Sequence, residues 1–325
     1  VLTFIHELGH YVAGKMLKFK INEFAIGFGK ALYSKTKKNG EKFSIRLIPL
    51  GGYCAFEGED KDTDNPDSFN KKAPWKRLIV LFFGVFFNFI SAILFTVILL
   101  CVLGGGVAKI DSVNASSPNY ETLQINDIIL EINGTEPTFI NGGVTGLTKD
   151  IKVDESATFL IERNGEKLEV EVTKYNIEQN GQTVAVFGFG SSLIKYNFGQ
   201  SLLKAVPYTL NMAWECLVVL GKLLVGQVSL RDIGGPITTI NVISEASAIS
   251  LNFIFLLLPL LAVNLAVFNI LPIPALDGAR MVFVIIEWIR KKPINRELEA
   301  KIHAVGLFIL FGFVILVDIL HLFVF

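Results

Sequence analysis

Apolar residues along this chain gather into long uninterrupted blocks. Leu78 to Leu103 contains no charged residue, and a helix of that length crosses a hydrocarbon core of roughly 30 Å. Leu251 to Pro272 is equally free of charge, and Val305 to Phe325 is interrupted only by Asp318 and His321. A fourth helical pattern, Val1 to Leu17, starts without Met inside an apolar run, so the natural N-terminus is expected upstream. Between the first two blocks the pattern changes to short β-like stretches. Ile21 to Tyr53 is apolar on both sides of Asn39-Gly40, a strong hairpin signal, and Glu57 to Asn70 reads as an acidic loop.

From Gly104 to about Gly190, four β patterns (Val107 to Ile110, Ile128 to Ile132, Thr158 to Ile161, Leu168 to Val172) alternate with Asn-Gly turns at Asn133 and Asn164. These form one compact inserted domain. Phe198 to Leu230 has helical spacing but carries Lys204, Pro207, Glu215 and Lys222, so an amphipathic, membrane-associated helix is expected there. The fold class is therefore an α-helical polytopic membrane protein with about four transmembrane helices, a membrane-associated β-hairpin and an inserted α+β domain. The divisions run 1–18 (first helix), 19–77 (β region and loop), 78–103 (second helix) and 104–192 (inserted domain). They continue with 193–249 (amphipathic linker), 250–280 (third helix), 281–301 (loop) and 302–325 (fourth helix).

Composition agrees: half the residues are hydrophobic and 18% are charged, a balance unusual for a soluble domain. Net charge is zero, which excludes a globally basic nucleic-acid binder. The charges are placed unevenly, with fourteen Lys or Arg from Lys15 to Arg77 and six from Arg280 to Lys301. Positive loops face the cytoplasm, so the segment from Gly104 to about Ser250 and both chain ends are expected outside. Glu287 and His303 flank the second basic loop and are expected to be solvated. Asp318 and His321, near the outer end of the last helix, are expected to pair or anchor at the interface. Cys54, Cys101 and Cys216 show no CxxC spacing, so neither a disulfide framework nor a cysteine metal site is indicated.

The sharpest chemical signal is His6-Glu7-Leu8-Gly9-His10. Residues four apart share a helix face, so both imidazoles can bind one zinc ion while Glu7 reaches a water beside it. Ionisable groups in an apolar helix are costly, which makes them a functional-site hypothesis by default. A catalytic zinc site takes three protein ligands. Asp277 fits the third place, since it lies at membrane depth in Asn269-Ile270-Leu271-Pro272-Ile273-Pro274-Ala275-Leu276-Asp277-Gly278, where two prolines break the third helix.

HELGH in a first span and NxxPxPxLDG ending a third resemble the site-2 protease family of intramembrane zinc metalloproteases, in the bacterial form with one PDZ domain. The likeness runs nearly end to end and includes Phe24 to Gly29, Ile45 to Tyr53 and Gly234-Gly235-Pro236-Ile237. It implies one Zn2+ per chain on His6, His10 and Asp277, Glu7 as general base and then acid, and Asn269 holding substrate backbone or the developing oxyanion. It also implies that an unwound transmembrane substrate adds to a sheet edge formed from Phe24, Gly27 and Gly29 or from Leu50, Gly51 and Gly52. Ser117-Pro118 with Leu123 to Gly134 resembles a circularly permuted PDZ domain, with Asn126 where glycine is usual. Gly84 and Asn88 stand in the second helix as packing or polar contacts, while Val85 and Phe87 replace the family's usual proline and alanine.

The resemblance places the protein in a bacterial plasma membrane, with the active site near the cytoplasmic side and the PDZ-like domain outside. Its partners would be the lipid bilayer and transmembrane substrates already shortened by another protease, such as anti-sigma factors or remnant signal peptides. Two other readings stay open: a membrane zinc protease of the prenyl-protein class, which typically uses a glutamate third ligand, and a PDZ-bearing scaffold with an inactive site.

Overall fold

The computed structural model describes residues 1–59, 63–139, 141–179, 182–227, 235, 238–241, 244 and 252–323. The chain divides into two compact units, Val1–Phe95 with Pro207–Phe325, and Thr96–Val206.

In the first unit, helix α1 (Leu2–Met16) is followed by strands β1 (Ile21–Thr36) and β2 (Lys42–Phe56), then helix α2 (Pro74–Val102), which continues beyond the unit. Helix α2 begins four residues before the apolar block because Pro74 suits a first helical position, where its missing N–H costs nothing. β1 and β2 pair antiparallel about Asn39-Gly40, with Thr36 opposite Lys42 and Ile21 opposite Phe56. The ribbon also folds across itself, so that Glu23 to Ile26 face Gly52 to Ala55 on one side and Lys42 to Ile45 on the other. Positive φ at Gly27, Gly29 and Gly51 permits this fold-over. It is pinned by Glu23, whose carboxylate accepts hydrogen bonds from Ser44 Oγ (2.6 Å), Arg46 Nη2 (2.8 Å) and Tyr53 OH (2.9 Å). Burial alone would raise the pKa of Glu23, but these donors outweigh it and hold the group down at about 2.

The core of this unit joins α1, the ribbon and α2 through Ala13, Phe19, Ile21, Phe24, Cys54, Phe56, Phe69, Val80 and Leu81. Glu41, at the start of the second arm, is 2% exposed and is held by Lys15, by Lys37 (2.7 Å) and by Tyr11 OH (2.8 Å), which ties the hairpin to α1.

The later helices of this unit are α5 (Asn252–Ile270), α6 (Asp277–Arg290) and α7 (Arg296–Phe323). The segment 281–290, expected as part of a loop, is helical. It continues the turn opened by Asp277 and packs Met281 and Val284 on the core. Glu287 and His303 are not solvated. Glu287 is 5% exposed and joins Arg77 Nη2 and Arg296 Nη2, each at 2.7 Å, while half-buried His303 Nδ1 accepts from Ala275 N at 2.9 Å. Asp318 is buried and accepts from Thr238, with Gly235 against it. Of the Gly-Gly-Pro-Ile motif, Gly234, Pro236 and Ile237 lie outside the described residues. Among the described residues, two helices, Pro74–Val102 and Arg296–His321, are long and apolar enough to cross a membrane, and Ile254–Ile270 is a shorter apolar helix.

The second unit centres on five antiparallel strands: β3 (Ala108–Val113), β4 (Ile128–Ile132), β5 (Ser156–Arg163), β6 (Glu166–Thr173) and β9 (Phe189–Leu193), in spatial order β6-β5-β4-β3-β9. A short helix α3 (Gly143–Thr148) and a β7 (Tyr175–Gln179) to β8 (Gln182–Val186) hairpin accompany them. Asn164-Gly165 closes the β5–β6 hairpin with both residues at positive φ, the two-residue turn that its sequence calls for. Asn126 adopts φ +78°, a left-handed position that Asn tolerates. The core is Ile110, Leu123, Ile129, Ile132, Phe159, Ile161 and Val172. Helix α4 (Phe198–Leu224) runs on from this unit into the first.

Candidate metal centre

His6 and His10 lie one turn apart on the buried face of α1, with ring planes at 89° and centroids 4.7 Å apart. Asp277 comes from the other end of the chain. Helix α5 stops at Ile270, and Pro272 and Pro274 keep the chain irregular until α6 starts at Asp277. Ala275 is held at φ +81°, a strained position for a residue with a Cβ. Its N–H is taken by His303, and Gly306 of the same helix α7 packs on Pro274. The segment that presents Asp277 is thus clamped from α7.

The three donor groups converge. Asp277 Oδ2 is 2.9 Å from His6 Nε2 and 3.2 Å from His10 Nε2, and the two Nε2 atoms are 3.2 Å apart. Four-coordinate zinc with ligands at 2.0–2.1 Å separates neighbouring ligand atoms by about 3.3 Å, so this triangle has the right size, and two imidazoles with one carboxylate are a zinc-type donor set. Among the described residues these three form the only such cluster. His10 Nδ1 is 2.8 Å from the Val80 carbonyl, which fixes its proton on Nδ1 and leaves the Nε2 lone pair aimed into the triangle.

Glu7 faces the same cavity, of about 290 Å³, which is also lined by Tyr53, Cys54, Ala55, Phe56, Glu59 and Arg280. The Cys54 main chain lies against the Glu7 carboxylate, with its N–H as the group that can donate to it. Tyr53 to Phe56 pair with β1 on one side only and form the outer edge of the folded ribbon beside the triangle.

This corrects the expected substrate edge. Phe24 is 6% exposed, packs on Phe4, Tyr11 and Phe43, and has strand partners on both sides, so it belongs to the core and offers no edge. Gly27 is buried at the fold-over and Gly29 lies on the exposed bend beyond it. Leu50 and Gly51 precede the edge in β2, and Gly52 adjoins the site: a Cβ there would lie 3.7 Å from Glu7 Cγ. Asn269 is buried in the last turn of α5 and is not among the described residues lining the Glu7 cavity.

Sequence reasoning left Val80 and Asn88 without roles at the imidazoles. Asn88 Nδ2 is 3.1 Å from His6 Nδ1, and Asn88 is fully buried. A carbonyl acceptor on a helix has no sequence signal, but a lone Asn in an apolar span is one.

Residues 1–313 match the model of peptidase family M50. The chain belongs to peptidase family M50. A provisionally named zinc metalloprotease of Fusobacterium nucleatum is 32% identical over 98% of this chain and 94% of that protein. Similarly named proteins are 33% identical in Campylobacter jejuni (92% of this chain, 84% of that protein) and 28% identical in Clostridium perfringens (98% and 94%). As a member of this site-2 protease family the chain is a membrane protein and a peptidase.

Proposed function

We propose that this peptidase is a zinc endopeptidase that cuts transmembrane segments of other proteins within the bilayer. One observation carries the reading: a zinc-sized triangle of His6, His10 and Asp277 opens into one cavity with Glu7 and a strand edge. His6, His10 and Asp277 would hold the ion. When bound, it supplies Lewis acidity, bringing the pKa of a water towards 7 and polarising a peptide carbonyl. Tyr53 to Phe56 would take an unwound substrate as an added strand, which fixes the scissile bond over Glu7. Glu7, oriented by the Cys54 N–H, takes a proton from the attacking water and delivers it to the nitrogen as the C–N bond breaks. Asn269 has amide donors suited to the developing oxyanion.

In this reading α1, α2, α5 and α7 span the plasma membrane of a bacterial cell, with the ribbon and α6 on the cytoplasmic side. Residues 104–192 form the PDZ-like domain of this reading, on the outside. Substrates arrive shortened by another protease, with anti-sigma factors and remnant signal peptides as the expected classes. The test is cleavage of a single-span substrate in detergent by the purified protein, with metal content measured. Glu7→Gln should abolish cleavage and retain zinc, whereas Asp277→Ala should lose both. Full cleavage by Glu7→Gln would refute the assignment.

A further inference from the structure

Val80, Gly84 and Asn88 are four apart and form one row on α2, facing His6 and His10. Each meets the imidazoles differently. The Val80 carbonyl accepts the His10 Nδ1 proton at 2.8 Å. A helical side chain covers the turn before its own Cα, so any side chain at position 84 would overhang that carbonyl. A Cβ on Gly84 would also fall within contact of His10 Cε1 and Nε2, and 2.8 Å from His6 Cε1. Asn88 reaches the other ring: its Nδ2 is 3.1 Å from His6 Nδ1, while its Oδ1 is buried and receives no hydrogen bond.

That last pairing conflicts with metal ligation. A neutral His6 that ligates through Nε2 carries its only proton on Nδ1 and needs an acceptor there. An amide NH2 facing Nδ1 offers a second donor instead. Turning the Asn88 amide over exchanges Oδ1 and Nδ2 at nearly identical shape, gives the Nδ1 proton an acceptor, and removes the orphaned oxygen from its present place.

We infer that the Val80–Gly84–Asn88 row of α2 sets the tautomer of both zinc-binding imidazoles, with Asn88 Oδ1 as the positioning acceptor for His6. The inference rests on the zinc reading above. It makes α2, which contributes no ligand, the element that presents both imidazole lone pairs to the ion. Outer partners of this kind typically change metal affinity by about 10–100-fold.

The experiment is zinc affinity by chelator competition on the purified full chain in detergent, alongside the unfolding midpoint of each zinc-free form. Asn88→Asp keeps an acceptor and cannot donate, so its affinity should equal or exceed that of the unmodified chain. Asn88→Leu should bind about 10–100-fold more weakly at an unchanged zinc-free midpoint. Gly84→Ala should weaken binding too. An Asn88→Asp variant as weak as Asn88→Leu would show that donation, not acceptance, matters, and would overturn the inference. So would an Asn88→Leu variant with undiminished affinity. If Asn88→Leu does not fold, Asn88→Ala against Asn88→Asp reads the same contrast. An unmodified chain that binds no zinc would instead sink the metal reading itself.

Discussion

Replacing Glu287 should destabilise this protein more than replacing any of its arginine partners. Glu287 on α6 accepts from Arg77 of α2 and Arg296 of α7, each at 2.7 Å, and from the Ile294 N–H at 2.9 Å. The Arg77 and Glu287 side chains are 5% and 4% exposed, so removing one charge strands the other out of water. Losing one partner of a buried pair costs about 3–5 kcal/mol. The losses are unequal. Arg296 keeps Glu299 at 2.8 Å if Glu287 is neutralised, whereas Arg77 already has Nε and Nη1 without partners and would lose its ion pair. Conversely, Arg77→Met leaves Glu287 with Arg296. The expected order is therefore Glu287→Gln at about 3–5 kcal/mol, Arg77→Met at less, and the double variant below the sum of the two by about 2 kcal/mol or more. Equilibrium unfolding in mixed micelles, run as a double-mutant cycle, measures each value. Additive effects, or a Glu287→Gln cost below about 1 kcal/mol, would show that the cluster is hydrated and that the burial argument fails.

Two further outcomes follow from the ribbon. Burial tends to raise the pKa of Glu41, but Lys15, Lys37, Tyr11 and Asn39 overcome it and hold the group at about 2 against an ordinary 4.5. Its stabilisation is thus complete above pH 4.5 and lost as pH falls from 4.5 to about 2, an amount of at most about 3 kcal/mol. Comparing Glu41→Gln with the unmodified chain, the stability gap should be wide at pH 7 and close below pH 4.5; a constant gap would refute the linkage. Cys54→Pro should fold, because residue 54 lies on the outer edge strand of the ribbon, where proline is tolerated. It removes the N–H proposed to orient Glu7, and a hydrogen bond to a charged group is worth about 1.5–3 kcal/mol, so kcat should fall about 10–100-fold with zinc retained. An unchanged kcat would mean that the Cys54 N–H does not orient Glu7.

How much of this was legible in the sequence depended on the range of each interaction. His6, Glu7 and His10 are local, and helical periodicity alone puts the two imidazoles on one face. Asp277 was legible because Pro272 and Pro274 mark a break in an apolar run where a lone carboxylate would be costly. The Asn39-Gly40 and Asn164-Gly165 turns declared themselves for the same reason, since positive φ is a local demand. Edge identity was not legible. Phe24 and Tyr53 sit in similar apolar β patterns, and only the fold-over of the ribbon decides that one is enclosed and the other lines a cavity. Glu287 stands beside a basic loop in sequence and reads as solvated. Its partner Arg77 lies 210 residues earlier, and no periodicity announces such a pair.

Two buried ionic clusters at α2 also answer the question of what that helix is for. At Arg77, Glu287 and Arg296, donors meet an acceptor and opposite charges face one another. At His6, His10 and Asp277 the balance differs. The Val80 carbonyl holds the His10 proton on Nδ1, so a neutral His10 turns a lone pair, not a donor, toward Asp277 Oδ2. With His6 in the same tautomer, three acceptors point at one another within 3.2 Å, which is unfavourable unless a cation lies among them. The sign of the cluster is therefore set from outside it, by which ring nitrogens α2 lets carry the protons. That is why a helix without a ligand governs whether this triangle behaves as an ion pair or as a metal site.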